Sequence, residues 1–245
     1  MSLFIPNLSV DCVILGFDAK EQQLKSLVYQ EEIFDKAKNK NWKFPGSLVP
    51  QGEDLDDSAQ RILKELTGLS QVCLKQFHAF GNPKRIKTKE EKQWVEKHYG
   101  MKTNRVVTIA YYALIRIDEN NPDQKNIKGK IKWMDIHESD NLAFDHHEIL
   151  KQALSVLRKD VLLQDVNMFE LLPQKFTITQ LQSLYEVIMD QPLDKRNFRR
   201  KIAKAKYIKA LNEKQKGVAH KPALLFSIDK EEYQNSEKYI NTFFI

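Results

Sequence analysis

Apolar positions along the chain recur with two different periods. From Leu8 to Phe17 they are nearly continuous around Cys12-Val13-Ile14-Leu15, and after a polar turn from Asp18 to Gln23 they resume from Leu24 to Tyr29. The pair reads as a β-hairpin with its first strand deeply buried. Between about Leu55 and Leu66 the period changes: Leu55, Ala59, Ile62, Leu63 and Leu66 share one face of a helix, and Gly68 stands where a left-handed residue closes one. An apolar segment, Val72 to Phe80, precedes a highly charged stretch from Pro83 to Asn104, which reads as a surface insertion, helical around Glu90 to His98. Arg105 then opens the strongest strand signal in the chain, the β-branched and aromatic run Val106 to Ile115. A turn at Asn120-Asn121-Pro122-Asp123, a short strand at Ile131 to Met134 and a helix from Asp145 to about Arg158 complete an α/β domain ending near residue 160.

The remaining chain has a different grammar. Past a connector through Leu171-Leu172-Pro173, Thr177 and Gln180, or Thr179 and Gln182, supply a helix start with Leu181, Leu184, Tyr185 and Ile188 on one face. Asp190 to Leu193 breaks that helix, and Asp194 caps a second one with Phe198, Ile202 and Ala205 inward. Lys195, Arg196, Asn197, Arg199 and Arg200 fall on its outward face. Tyr207 to Leu211 and Ala223 to Ile228 pair as strands across a loop holding Lys214, Lys216, Gly217, His220 and Lys221. Two short helices, the second basic, followed by a basic hairpin form a winged helix-turn-helix. The expected division is therefore residues 1–160 and 161–245.

Charge sharpens this division. The 245 residues carry a net charge of +6, yet the segment from Asp194 to Lys221 alone carries +9, with eleven Lys or Arg against two acids, leaving the rest at −3. A positive excess confined to one segment points to a polyanion, chiefly nucleic acid, with a solvated lysine-rich face as the alternative. The longest apolar runs are a few residues, far short of the ~20 that span a bilayer, and no basic leader opens the chain. A cytoplasmic protein without membrane contact is expected. Cys12 and Cys73 stand apart among apolar neighbours and read as core thiols, not as a metal or redox pair.

The stretch from Pro45 to Leu69 resembles the Nudix box, G-x5-E-x7-R-E-U-x-E-E-x-G-U. Glu53, Arg61, Leu63, Glu65, Gly68 and Leu69 fall in register. Ser47 replaces the first Gly, while Ile62 and Leu66 replace two of the four carboxylates. Hard divalent cations need oxygen ligands, so neither metal nor other cofactor is expected and the chain reads as a non-enzyme. A degenerate Nudix domain followed by a winged helix is similar to the Nudix-related transcriptional regulators, the NrtR family. The runs Arg105 to Leu114, Phe144-Asp145-His146, Phe176 to Tyr185 and Lys195 to Arg199 match it. The similarity is greatest to the arabinose-responsive, AraR-type branch of Bacteroidetes.

The resemblance implies an α+β chain: an N-terminal Nudix-like α/β/α sandwich with a mixed sheet, and a C-terminal winged helix-turn-helix. It further implies a homodimer on palindromic double-stranded operator DNA, repressing sugar-utilisation genes, with the Nudix domain sensing a small sugar or nucleotide sugar. Expected effector contacts are Glu53, Glu65, Arg105 and Tyr111, each with packing or ion pairing as the alternative. Expected DNA contacts are Lys195, Arg196, Asn197, Arg199, Arg200 and Lys201 on the helix, with Lys214, Lys216 and Lys221 on the wing. Asp145-His146-His147-Glu148 is read as a helix start capped by Asp145, not as a metal cluster. The rival function is an active Nudix hydrolase of a nucleoside diphosphate derivative such as ADP-ribose.

Overall fold

A computed structural model describes residues 4–30, 42–100, 105–117, 130–163, 166–217 and 221–235. The expected turn at 120–123 and His220 of the wing loop lie outside these residues. The chain forms two compact units, residues 1–16 with 25–155 and residues 17–24 with 156–245. The expected boundary at 160 falls inside a continuous helix, because the apolar face that begins after Asp145 runs on through Val161.

The first unit is built on a mixed seven-stranded sheet. Its spine is β1 (Phe4–Asp18), which pairs antiparallel with β4 (Gly46–Pro50) and parallel with β6 (Val107–Leu114). On β1's other side is β2 (Gln23–Gln30), which carries β3 (Trp42–Lys43) and β7 (Ile131–Asp135) antiparallel, and β5 (Lys75–Phe80) borders β6. Every residue of β1 from Ser9 to Phe17 is buried, so both faces of the strand are covered, as its continuous apolar run requires. The turn into β2 is closed by Asp18, whose Oδ1 accepts the N–H groups of Lys20 and Glu21, each at 3.0 Å.

Helix α1 (Leu55–Thr67) covers one face. Ala59, Ile62 and Leu63 pack with Val10, Cys12, Ile14, Tyr111 and Ala113, and burial of a side chain such as Ile62 contributes roughly 1.5–3 kcal/mol. Asp54 caps its start by accepting from Asp56 N–H, and Gly68 ends it at φ 77° with its N–H on the Lys64 carbonyl. Cys12 is a core thiol as expected, but Cys73 is exposed, since it lies in the connection leading to β5.

The charged stretch is more than a surface insertion. Helix α2 (Lys89–Tyr99) starts with a complete capping box, Thr88 with Glu91, and buries Trp94 and Val95. These pack with Ile86, Val106 and Ala143, so the stretch contributes to the core of the unit, and one of its charges, Arg85, is buried with it. Helix α3 (His146–Leu163) follows a 3₁₀ turn (Ile136–Asn141) and buries Ile149, Leu150, Ala153 and Leu157.

In the second unit, a 3₁₀ turn (Met168–Leu171) precedes helix α4 (Ile178–Met189), whose capping box pairs Thr177 with Gln180. Helix α5 (Lys195–Ile202) follows after the expected break. The break is held by side chains of α4: Gln182 Nε2 donates to the Leu193 carbonyl at 3.1 Å and Glu186 Oε1 accepts Leu193 N–H at 2.9 Å. Phe198 and Ile202 are buried against a core that includes Leu184, Tyr185 and Tyr207. Helix α5 ends at Ile202, so Ala205 lies beyond it and is only half-buried, contrary to the expected inward face. Strands β8 (Ile208–Lys214) and β9 (Leu224–Ile228) form the wing hairpin. Phe176 joins it through reciprocal backbone bonds with Phe226 at 3.0 and 2.8 Å. Helix α6 (Lys230–Asn235) closes the unit by setting Tyr233 on Phe169 and Tyr207.

Candidate effector cavity and nucleic-acid interface

The box residues form an ion-paired lattice. Arg61 Nη2 and Nε grip Glu53 at 2.8 to 3.1 Å, Ser58 Oγ donates to the same carboxylate at 2.6 Å, and Arg61 Nη1 reaches Glu65 at 3.1 Å. The hydrogen bonds from Arg61, with help from Ser58, hold the Glu53 carboxyl below its usual range. Ile62 is buried, and Leu66 packs partly buried on the same core. Nudix chemistry implies a divalent cation, but two carboxylates tied to a guanidinium, with apolar neighbours, do not fit one. Among the described residues no cluster of three His, Cys, Asp or Glu side chains is arranged to hold a metal.

The other expected effector contacts lie apart from these. Tyr111 is buried beneath α1, its hydroxyl donating to Asp56 Oδ1 at 2.6 Å, and burial followed by that bond raises its pKa. Arg105 is exposed, with Nη2 donating to the Gly81 carbonyl at 3.4 Å.

A small cavity of about 50 Å³, open at its mouth, lies elsewhere in the first unit, and none of Glu53, Glu65, Arg105 or Tyr111 lines it. Strand β1 contributes Ser9 and Asp11, and the parallel register with β6 sets Ser9 opposite Thr108. The antiparallel register with β4 sets Asp11 opposite Gly46, where a Cβ would stand 1.8 Å from Asp11 Oδ1; only glycine leaves room for the carboxylate. Lys43, from β3, donates to the Gly46 carbonyl at 3.3 Å. Arg85 enters from the segment before α2, and His146 from the first turn of α3.

These buried groups are mutually dependent. Arg85 makes a two-point pair with Asp145, Nε to Oδ2 at 3.1 Å and Nη2 to Oδ1 at 2.9 Å, and its Nη2 lies 3.9 Å from Asp11. The Asp145 carboxylate thus answers a buried guanidinium, not the helix start that the sequence suggests. His146 Nδ1 accepts the Phe44 N–H at 2.9 Å, which places the ring proton on Nε2. Burial outweighs the nearby Asp145 charge and pushes His146 down to about 3, so the ring is neutral near pH 7. Burial likewise raises the Asp11 carboxyl, against the pull of Arg85, Lys43 and Thr108. A carboxylate, two cations, the hydroxyls of Ser9, Ser47, Tyr99 and Thr108 and an imidazole N–H in one cavity can recognise a ligand that both donates and accepts hydrogen bonds.

In the second unit, Lys195, Arg196, Asn197, Arg199 and Arg200 are exposed on α5 and Lys201 is half-buried. Asp194 Oδ1 accepts Asn197 N–H at 2.8 Å, fixing the start of the helix. Lys214, Lys216 and Lys221 are exposed on the hairpin. Arg199 and Lys221 border a common groove with Thr177, Thr179 and Leu224, so helix and wing meet along one concave edge. Sequence reasoning missed Asp11, Lys43, Arg85 and His146. Their visible signals were an acid interrupting an apolar strand, Val10-Asp11-Cys12, and the run Phe144-Asp145-His146, which was read as a helix start.

Comparison with known proteins places these features. Residues 6–154 match the NUDIX domain and residues 168–228 the NrtR DNA-binding winged helix domain. The chain belongs to the Nudix family, with a DNA-binding winged helix of the NrtR type at its C-terminal side. It is 28% identical over 232 residues to the ADPR responsive transcriptional repressor NtrR of Acinetobacter baylyi, covering 93% of this chain and 84% of that protein. The crystal structure of Shewanella oneidensis NrtR complexed with a 27mer DNA shares the fold, at a TM-score of 0.63 and 23% identity over 93% of this chain and 95% of that one. A MutT/nudix family protein from Enterococcus faecalis is similar at a TM-score of 0.59 and 24% identity, over 92% of this chain and 88% of that one. No helix among the described residues is long and apolar enough to cross a membrane.

Proposed function

We propose that this chain is a cytoplasmic, effector-responsive transcriptional repressor. Its winged helix binds operator DNA as a homodimer, and its Nudix unit senses a small sugar or a nucleotide sugar without hydrolysing it. The observation that carries the reading is the polar cavity of Asp11, Lys43, Arg85, Thr108 and His146, in a unit whose box glutamates are tied to Arg61. A hydroxyl both donates and accepts, so a polyol matches this alternation of carboxylate and donors. The response of the Acinetobacter baylyi relative to ADP-ribose favours a nucleotide sugar, whereas control of sugar-utilisation genes calls for a free sugar. The exposed Arg196, Asn197 and Arg200 supply base-reading groups, and Lys195, Lys214, Lys216 and Lys221 supply phosphate contacts.

The test is a melting-temperature screen of the full chain against L-arabinose, D-ribose 5-phosphate and ADP-ribose. The compound that raises Tm is then titrated into the complex with a duplex selected from random DNA. Release of the duplex over the concentrations that raise Tm is the expected result. Turnover of ADP-ribose with Mg²⁺, lost in Glu65→Gln, would instead establish the hydrolase.

A further inference from the structure

Helix α4 is held by two other segments of the second unit. In its N-terminal half, Gln180 Nε2 donates to the Ala19 carbonyl at 3.3 Å, and Ser183 Oγ donates to Gln22 Oε1 at 2.6 Å. At its C-terminal end, Arg158 Nε donates to the Ile188 carbonyl at 2.8 Å, and its Nη2 pairs with Asp190 at 3.4 Å. Ala19 and Gln22 lie in the β1–β2 turn and Arg158 lies on α3; both segments belong to the second unit, although the strands and the N-terminal part of α3 belong to the first. The chain therefore runs unbroken from one unit into the other at both places. Traced back along the chain, each also leads to the cavity, which β1 lines with Ser9 and Asp11 and α3 with His146 of its first turn.

Neither element is a soft connection. Strand β1 is buried from Ser9 to Phe17 and paired with β6 from Leu8 to Leu15, and α3 is one continuous helix to Leu163. Close-packed elements transmit a displacement along their length. Helix α4 in turn fixes the approach to α5, through Gln182 on the Leu193 carbonyl and Glu186 on the Leu193 N–H, next to the Asp194 cap.

We propose that α4 is the receiver of the effector signal: a ligand seated between β1 and α3 resets their spacing, and α4, tied to both, passes the change to α5. The inference rests on the effector reading of the cavity and adds the route by which occupancy alters DNA binding.

The experiment measures duplex affinity by fluorescence anisotropy, with and without saturating L-arabinose, D-ribose 5-phosphate or ADP-ribose, for full-length wild type and two variants. Gln180→Glu with Ser183→Ala removes both donors to the turn, while a glutamate still accepts Thr177 N–H and keeps the capping box. Arg158→Gln releases the other end. The readout is the factor by which a probe changes DNA affinity, a ratio from which a uniform effect of the added charge cancels. One probe is expected to give a factor of roughly 5–150 in wild type, the usual range of such coupling. In each variant that factor should fall about fivefold, the worth of a hydrogen bond or two, with probe affinity in the absence of DNA within about twofold of wild type. Linkage requires DNA to change probe affinity by the same factor, so calorimetric titration of the probe with and without duplex checks each value. Ser183→Ala alone, a one-atom deletion at a half-buried position, serves where a variant fails to fold. A factor that stays at the wild-type value in the variants would overturn the inference and leave the effector reading standing. A factor of one in wild type for all three probes would overturn the effector reading, and this inference with it.

Discussion

At the scale of single residues, His146 shows what burial does to an ionisable group inside a polar cavity. Its folded pKa of about 3 lies below the unfolded 6.5, so between those values the unfolded chain binds the extra proton. The stabilisation tied to the neutral ring is complete above pH 6.5 and is lost as pH falls toward 3, by up to ~1.4 kcal/mol per pH unit. Asp11 works in the opposite sense: its raised pKa makes the folded chain hold a proton longer, so its contribution declines as pH rises past 3.8. The two partly cancel, and a variant is needed to separate them. In His146→Gln the side-chain carbonyl can still accept from Phe44 N–H but does not titrate. Urea unfolding from pH 3.5 to 7 is expected to show a shallower loss of stability toward acid in the variant than in wild type; equal slopes would show that His146 does not carry the effect. The box was legible in the sequence because its residues keep a fixed local spacing. The cavity was not, because Asp11, Lys43, Arg85 and His146 come from four segments that only the pairing of β1 with β4 and β6 and the placement of α2 and α3 bring together.

Elements were easiest to read where local chemistry and burial agree. Helix α1 ran one residue past its apolar face, to Thr67, and both helices of the winged unit began at the expected caps. The helix around Glu90 to His98 was legible as well, but its burial was not, because the buried face is narrow: two residues, Trp94 and Val95, anchor α2 among nine charged or polar ones on roughly three turns. Helix α5 is the opposite case, short and easily recognised but intrinsically weak. Its first turn has no acid, and Lys195 and Arg196 lie where the helix dipole disfavours cations. Asp194 offsets both problems, accepting the Asn197 N–H and placing a negative charge at the helix start. Asp194→Ala is expected to cost ~1 kcal/mol, read as a lower urea midpoint. It should also weaken DNA binding by more than removal of one negative charge can explain, since losing an acid near DNA would otherwise strengthen it; tighter binding by the variant would show that the cap does not organise the recognition helix.

At the scale of the whole molecule, the charge division becomes an experimental handle on function. The segment holding +9 is the same one that folds into α5 and the first strand and loop of the wing, so charge and fold single out the same surface as the proposed interface. What the sequence could not supply was the concave edge shared by Arg199 and Lys221, which are separated by more than twenty positions and meet only through β9. If these cations neutralise phosphates, affinity for duplex DNA must fall linearly in log salt, with a slope of about 0.9 per phosphate contacted. Arg199→Ala with Arg200→Ala removes two cations from an exposed helix face while leaving the buried Phe198 and Ile202 untouched, so Tm should stay within a degree or two of wild type. The slope should then become shallower by about 2 if both arginines hold phosphate. If Arg200 instead reads a base, the slope changes by about 1 and discrimination between selected and scrambled duplexes collapses. Fluorescence anisotropy across a salt series separates these outcomes, and an unchanged slope together with unchanged discrimination would move the DNA-binding surface away from α5.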